Sequence, residues 1–224
     1  LQDVSFRLHA GEILGVAGVA GSGQRALCEA IAGLQAISGG SILMDGKRID
    51  GLSPREIIKR GVSMAFIPED RLGMGLVGSM NIPDNLLLKT YRDQQGLFLD
   101  RKSAREEARE LINRLDISTP GLSTAVQKLS GGNVQKVLLG REINLSPRVL
   151  ITAYPVRGLD IGASMRIYEM LGEQKQKGVG VLFIGEDLDV LLALCDRIAV
   201  LSSGKLTAIV DSRFATKALL GMKM

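Results

Sequence analysis

An α/β fold built on a mostly parallel sheet is predicted by three observations. An apolar run, Ile13 to Val19, feeds a glycine-rich loop and then a helical stretch from Ala26 to Ala32. From about Asn81 to Leu145 the pattern turns helical, with Ala104, Ala108, Leu111, Ile112 and Leu115 on one face and charges on the other. After Val149, short apolar runs alternate with helical segments, which implies right-handed crossovers between parallel strands.

The elements follow in order. Val4, Phe6 and Leu8 alternate with Ser5, Arg7 and His9, which predicts a strand before the turn at Gly11. Leu1 already enters that alternation, so the chain is expected to begin inside a larger protein. Ser41 to Met44 and Lys47 to Ile49 straddle Asp45-Gly46 as a hairpin, and Ser53-Pro54-Arg55-Glu56 opens a helix with a cap and a proline at its first position. A buried strand is expected at Ser63 to Ile67. Beyond the helical stretch come strand Val149 to Ala153, helix Ala163 to Gln176, strand Val179 to Ile184 and helix Leu188 to Leu194. Strands Ile198 to Leu201 and Leu206 to Val210 close the series.

Composition excludes several classes. The 224 residues are 46% hydrophobic and 23% charged, an ordinary globular balance, and no apolar run approaches the roughly 18 residues of a membrane span. Cys28 and Cys195 form no CxxC pair and are expected to be buried, reduced thiols of a cytosolic protein; no metal site is expected. His9 is the single histidine and lies in a strand-like position, which argues against Ser-His or Cys-His chemistry. The net charge of +4 is spread among interleaved acids, as in Arg101 to Arg114, so that stretch reads as a solvated helix face and nucleic acid is not an expected partner.

The loop Gly18-Val19-Ala20-Gly21-Ser22-Gly23-Gln24-Arg25 has the spacing of the phosphate-binding motif GxxxxGK[ST] between a strand and a helix. Its glycines can still aim backbone N–H groups at a phosphate. Gln24 stands where a lysine would reach the β- and γ-phosphates, and Arg25 where a hydroxyl would hold Mg²⁺. Arg25 as a surrogate cation is one alternative, set against a solvent-facing arginine in a first helical turn. A second is a dinucleotide-binding oxidoreductase, because Gly21-Ser22-Gly23-Gln24-Arg25-Ala26 also fits GxGxx[GA] with Asp45 at roughly the 20-residue ribose distance.

Four landmarks in order decide between these. Leu129-Ser130-Gly131-Gly132-Asn133 with Gln135-Lys136 behind it is followed by Thr152-Ala153-Tyr154-Pro155-Val156-Arg157-Gly158-Leu159-Asp160; Pro68-Glu69-Asp70-Arg71 precedes them, and Asp196 to Gly204 follows. This series resembles the nucleotide-binding domains of ABC transporters, in particular the C-terminal half of tandem sugar and nucleoside importer ATPases, from Gly11 to about Ile209. The resemblance implies one domain over residues 1–224: a P-loop NTPase core of the ABC type, with an antiparallel β portion and an inserted helical subdomain near residues 81–145. It implies ATP or ADP as ligand. It also implies an N-terminal nucleotide-binding domain of the same polypeptide, membrane-spanning permease subunits and an extracytoplasmic solute-binding protein as partners, at the cytoplasmic face of the membrane.

In that family a strand-terminal Asp binds Mg²⁺ and a Glu activates water; the matching positions here are Ala153 and Tyr154. The switch histidine and the Q-loop glutamine match Glu186 and Glu69. A phenol with an ordinary pKa of about 10 is a poor base at neutral pH, so hydrolysis at this domain's own loop is expected to be impaired, with ATP or ADP held weakly and without need of Mg²⁺. Ser130 stands at an N-cap, and Gly131 and Gly132 leave N–H groups at a helix start that suits an anion. The resemblance gives Ser130, Gly131, Gly132 and Asp160 a role in trans, at a partner's ATP site. A third alternative, an RNA-associated tandem ABC protein, would require salt-sensitive RNA binding.

Overall fold

The computed structural model describes residues 1–66, 75–92, 94 and 98–224. Among them a six-stranded sheet runs in the order β4-β5-β6-β1-β7-β8. The strands are β1 (Ile13–Ala17), β4 (Val62–Phe66), β5 (Val149–Ala153), β6 (Gly180–Ile184), β7 (Arg197–Ser202) and β8 (Lys205–Asp211). The first five are parallel, and β8 returns antiparallel to β7. A separate hairpin, β2 (Leu43–Met44) with β3 (Lys47–Arg48), turns at Asp45-Gly46 as expected.

Parallel strands are covered on both faces, and β1 and β6 read as near-continuous apolar runs, buried throughout, for that reason. Leu14 and Val16 face one core with Leu27, Cys28 and Ile57. Ile13 and Ala17 face the other, with Val137, Leu138, Ile167 and Leu171. The helices α1 (Gln24–Ile31) and α2 (Pro54–Lys59) belong to the first side. On the second lie α5 (Gly131–Asn144), α6 (Ile161–Gln176) and α7 (Leu188–Leu194). Close approach explains Gly15 in β1: a Cβ there would lie 2.7 Å from Cys195 Sγ and 2.8 Å from Leu191 Cδ2 of the helix packed on the strand.

The helical portion holds α3 (Ile82–Thr90), α4 (Arg101–Leu115) and the start of α5. Its starts are capped by side chains: Asn81 for α3, Asp100 for α4 and Ser130 for α5. Ser53 and Glu56 form the capping box of α2. A last helix, α8 (Lys217–Gly221), seats Leu220 in the core.

Most predicted elements are present, with shifted ends. Gly23 and Asp160 cap α1 and α6, so those helices start at Gln24 and Ile161 rather than at Ala26 and Ala163. One expectation is corrected. Residues Val4 to Leu8 form no strand; among the described residues the N-terminal segment makes only an isolated bridge, Gln2 with Lys205. Val4, Phe6 and Leu8 still pack on the first core, so an extended chain laid along that face alternates in polarity without a ladder partner. Ile67 and the segment Pro68 to Arg71, including Glu69, lie outside the described residues.

Both cysteines are buried and free. Burial pushes the Cys28 thiol from 9.0 up to about 12, reinforced by Glu29, and pushes Cys195 to about 12, reinforced by Asp196. A raised folded-state pKa means the thiols' contribution to stability is complete below the unfolded value and is lost as pH rises through about 9 toward about 12. Urea midpoints are expected to fall between about pH 8 and about pH 10.5, and to fall less in Cys28→Ala. An equal fall in that variant would show that the thiol does not titrate this way.

Candidate functional site

The carboxyl ends of the parallel strands place the loop after β1, Tyr154 after β5 and Glu186 after β6 along one edge, where ligands bind in open α/β sheets. The loop from Gly18 to Arg25 is held by its own backbone and by the turn after β7. Ser22 N–H donates to Val19 O at 3.1 Å, and Gly204 N–H to Ser22 O at 3.0 Å. Gly21 and Gly23 sit at φ 86° and 108°, where L-residues are strained. A Cβ at Gly18 would approach Leu201 O to 2.5 Å, so that position is closed to side chains.

Gln24 is 4% exposed and folds into this loop, its Nε2 donating to Val19 O at 3.1 Å. The amide thereby braces the loop rather than reaching outward. Arg25 lies on the outer face of α1, with Nε 2.7 Å from Glu29 Oε1, so this guanidinium is tied along its own helix. Open space adjoins Gly21: a Cβ there would meet nothing within 4 Å. Among the described residues, the N–H groups of Gly21, Gly23 and Gln24 have no hydrogen-bond acceptor. Main-chain donors beside a glycine-lined space fit a phosphate group, whereas among the described residues the loop's own Gln24 and Arg25 side chains are turned to Val19 O and Glu29. Among the described residues, no cluster of three or more His, Cys, Asp or Glu has the arrangement of a metal site.

At the end of β5, Ala153 is 1% exposed and packs into the first core. Tyr154 follows in a left-handed conformation, φ 54°, its N–H donating to Ile184 O at 2.8 Å. A bulky residue there stores of order 1 kcal/mol of strain. Its half-buried ring packs on the same core, with the Arg157 guanidinium 5.7 Å from the ring centroid. Burial, then the charge of Glu186 and the Cys28 thiol, raise the phenol's pKa above the ordinary value of 10.0. The phenol thus holds its proton more tightly than a free tyrosine, and still less phenolate is present at neutral pH to act as a base. Glu186, in turn, lies 3.5 Å from Arg157, in an exposed pair.

The turn Ser130-Gly131-Gly132 has a different character. Ser130 Oγ accepts from Asn133 N–H at 3.4 Å and from Asn133 Nδ2 at 2.9 Å, while Asn133 Oδ1 takes the Ser118 N–H at 3.0 Å. Ser130 is exposed and the glycines half-buried, at the start of a 14-residue helix. A Cβ at Gly132 would lie 3.4 Å from Leu159 Cδ2 and 3.8 Å from Ala163 Cβ, so the turn sits beside Asp160, which caps α6 through Ala163 N–H at 2.9 Å. The structure therefore brings Ser130, Gly131, Gly132 and Asp160 to one place. No hydrogen bond or ion pair among the described residues joins them to the Gly18–Arg25 loop. Asp45 sits at the β2–β3 turn, 2.6 Å from Arg148, and takes no part in the loop's site.

Two features escaped sequence reasoning. Leu1 rests on the loop, its Cδ2 2.6 Å from where a Gly23 Cβ would stand, which no local pattern announces. Gln135, fully buried in α5, donates to Arg157 O at 3.1 Å and so ties that helix to the turn after β5; its position behind the Ser-Gly-Gly run was the available signal. His9 pairs with Glu12 at 2.8 Å, the structural role expected of it.

A phosphate loop, a glycine-started helix and a sheet of this order define a nucleotide-binding cassette. The model of the ABC transporter family matches residues 1–155, and the chain belongs to that family. It is similar to the guanosine import ATP-binding protein NupO of Bacillus subtilis (strain 168), with 40% identity over all of this chain and 44% of that protein. It is 39% identical to the ribose import ATP-binding protein RbsA 1 of Rubrobacter xylanophilus over 97% of this chain and 44% of that one. The chain thus spans less than half the length of these curated relatives. The ATP-binding cassette MJ0796, solved as a dimer in a post-hydrolysis state bound to ADP and Pi, superposes with a TM-score of 0.81. That match covers 96% of this chain and 91% of the cassette at 21% identity, a likeness of fold. Among the described residues no helix is long and apolar enough to cross a membrane.

Proposed function

We propose that residues 1–224 form one nucleotide-binding domain, with a helical subdomain near residues 81–145, in the motor of an ATP-driven sugar or nucleoside importer. It corresponds to the C-terminal half of a tandem ATPase, is hydrolytically impaired at its own loop, and acts in trans. The observation that carries this reading is the contrast between two ends of the chain's own machinery. The β5 terminus carries Ala153 and Tyr154 in place of acids, and Gln24 is turned inward, whereas the Ser130-Gly131-Gly132 helix start is intact, with Ser130 exposed. The match to 44% of importer ATPases about twice as long supports a half-protein.

In this reading, backbone N–H groups of Gly21, Gly23 and Gln24 hold ATP or ADP weakly, without a requirement for Mg²⁺. ATP bound at this loop would stay largely unhydrolysed, and the hydrolysis that drives the motor would take place at the partner domain's loop. Ser130, Gly131 and Gly132 donate to anionic oxygens presented by the N-terminal domain of the same polypeptide, and Asp160 fixes the adjoining turn by capping α6. Permease subunits and an extracytoplasmic solute-binding protein complete the assembly at the cytoplasmic face of the membrane. A self-sufficient ATPase using Arg25 is disfavoured by the Arg25–Glu29 pair, and a dinucleotide site by the Asp45–Arg148 pair.

Uptake by the full-length tandem protein is expected to be lost on Ser130→Arg, which fills the turn. Loss is expected also on Ser130→Asp, which keeps the cap but sets a carboxylate against the incoming oxygens. Undiminished uptake with Ser130→Asp would exclude a role in trans for this turn.

A further inference from the structure

The stretch Arg101 to Arg114 reads in sequence as a solvated mixture of charges, but the fold sorts it. Arg101, Arg105 and Arg109 recur every fourth residue on one face of α4, and all three line a cleft against α3 with a volume of about 310 Å³. The cleft is walled by Pro83, Leu87 and Leu122. Each arginine finds another arginine, not a carboxylate, at the i ± 4 position, where like charges destabilise a helix by about 0.2–0.5 kcal/mol per pair. Arg101 reaches Asp84 at 3.9 Å; Arg105 and Arg109 have no ion-pair partner among the described residues. Glu107, by contrast, is turned to α5, where it accepts from Asn144 at 3.1 Å.

We propose that this cleft is a binding site for a phosphate ester of a polyol. Two guanidinium forks suit the flat faces of a phosphoryl group, which they hold bidentately. Pro83, Leu87 and Leu122 cover a short carbon skeleton, and the Asp84 carboxylate, on the opposite side of the cleft, accepts from its hydroxyl groups. The volume matches a small ligand, near the lower end of the roughly 300–1,000 Å³ found for small-molecule pockets. This chemistry occurs both in free phosphorylated polyols and in the headgroups of anionic lipids. The site is separate from the glycine loop, so it stands whether or not that loop binds nucleotide.

The test titrates the chain with sn-glycerol 3-phosphate at low ionic strength, followed by backbone amide shifts, and in parallel by sedimentation with phosphatidylglycerol vesicles. Saturable shifts at Leu87, Leu122 and Ser123 are expected, weakened at least about tenfold by Arg105→Glu. That substitution turns two repulsive i, i+4 pairs into attractive ones, so the melting temperature is not expected to fall and lost binding is not lost folding. Binding of the soluble ester assigns a free ligand, and sedimentation with vesicles alone, abolished by Arg105→Glu, assigns a headgroup. Absence of both, or binding that Arg105→Glu leaves unchanged, overturns the proposal. Shifts confined to Gly21 and Gly23 would do the same.

Discussion

Purified chain supplied with ATP and Mg²⁺ is expected to turn over at least about a thousandfold more slowly than an ABC cassette whose β5-equivalent strand ends in two carboxylates. Phosphoryl transfer depends on positioning and on neutralising charge, and removal of one electrostatic stabiliser costs roughly 100- to 1,000-fold. Here several are missing together. Ala153 presents a methyl group packed in the core, Tyr154 a phenol whose pKa is raised by burial, and Gln24 an amide committed to Val19 O. Because these groups act as a unit, Tyr154→Glu alone is not expected to restore turnover. Steady-state phosphate release, compared side by side with an intact cassette, provides the measurement; rates within tenfold of one another would mean that another residue supplies the missing charge.

Glu142→Ala is expected to destabilise the chain by about 3–5 kcal/mol. Glu142 is fully buried, and both its oxygens are used. Oε1 accepts from Arg141 Nε and NH2 at 2.9 and 2.8 Å, and Oε2 accepts from Ser63 Oγ at 2.5 Å and Lys89 Nζ at 3.1 Å. One carboxylate therefore joins α5, β4 and α3, that is, the sheet and the helical portion. Its removal strands the Arg141 guanidinium, itself 6% exposed, in a site that excludes water. Replacing Arg141 and Glu142 together by leucines is expected to cost less than Glu142→Ala, because the buried guanidinium leaves with its partner and only the Ser63 hydroxyl and the partly exposed Lys89 ammonium lose a contact. Urea denaturation of the two variants distinguishes the cases; a loss below about 1 kcal/mol for Glu142→Ala would mean that the network contributes little.

Much of this architecture was legible because it is written locally. Strand β5 and helix α7 have the bounds that apolar periodicity and flanking turn residues predict. Ser53, Ser130 and Gly131-Gly132 marked helix starts because capping is a short-range interaction. The ends of α1 and α6 were less legible, since Gly23 at φ 108° and Asp160 set them two residues earlier than the apolar pattern. Val4 to Leu8 misled for a related reason: alternation reports which face is buried, and a ladder needs a neighbour that sequence does not display. The buried carboxylate at Glu142 gave no warning, because its partners Lys89 and Ser63 are 53 and 79 residues away.

By itself the amino-acid order determined the α/β class, the phosphate-loop spacing and the presence of Ala153 and Tyr154, which carry no carboxylate, at the end of the apolar run from Val149. Only the tertiary structure decided where the remaining charges go. It folds Gln24 into the loop, ties Arg25 to Glu29 and Asp45 to Arg148, and gathers Arg101, Arg105 and Arg109 along one cleft. The physical reason is that the strength of a charge depends on distance and solvent exposure, which are set by which elements pack together rather than by which residues are adjacent in the chain.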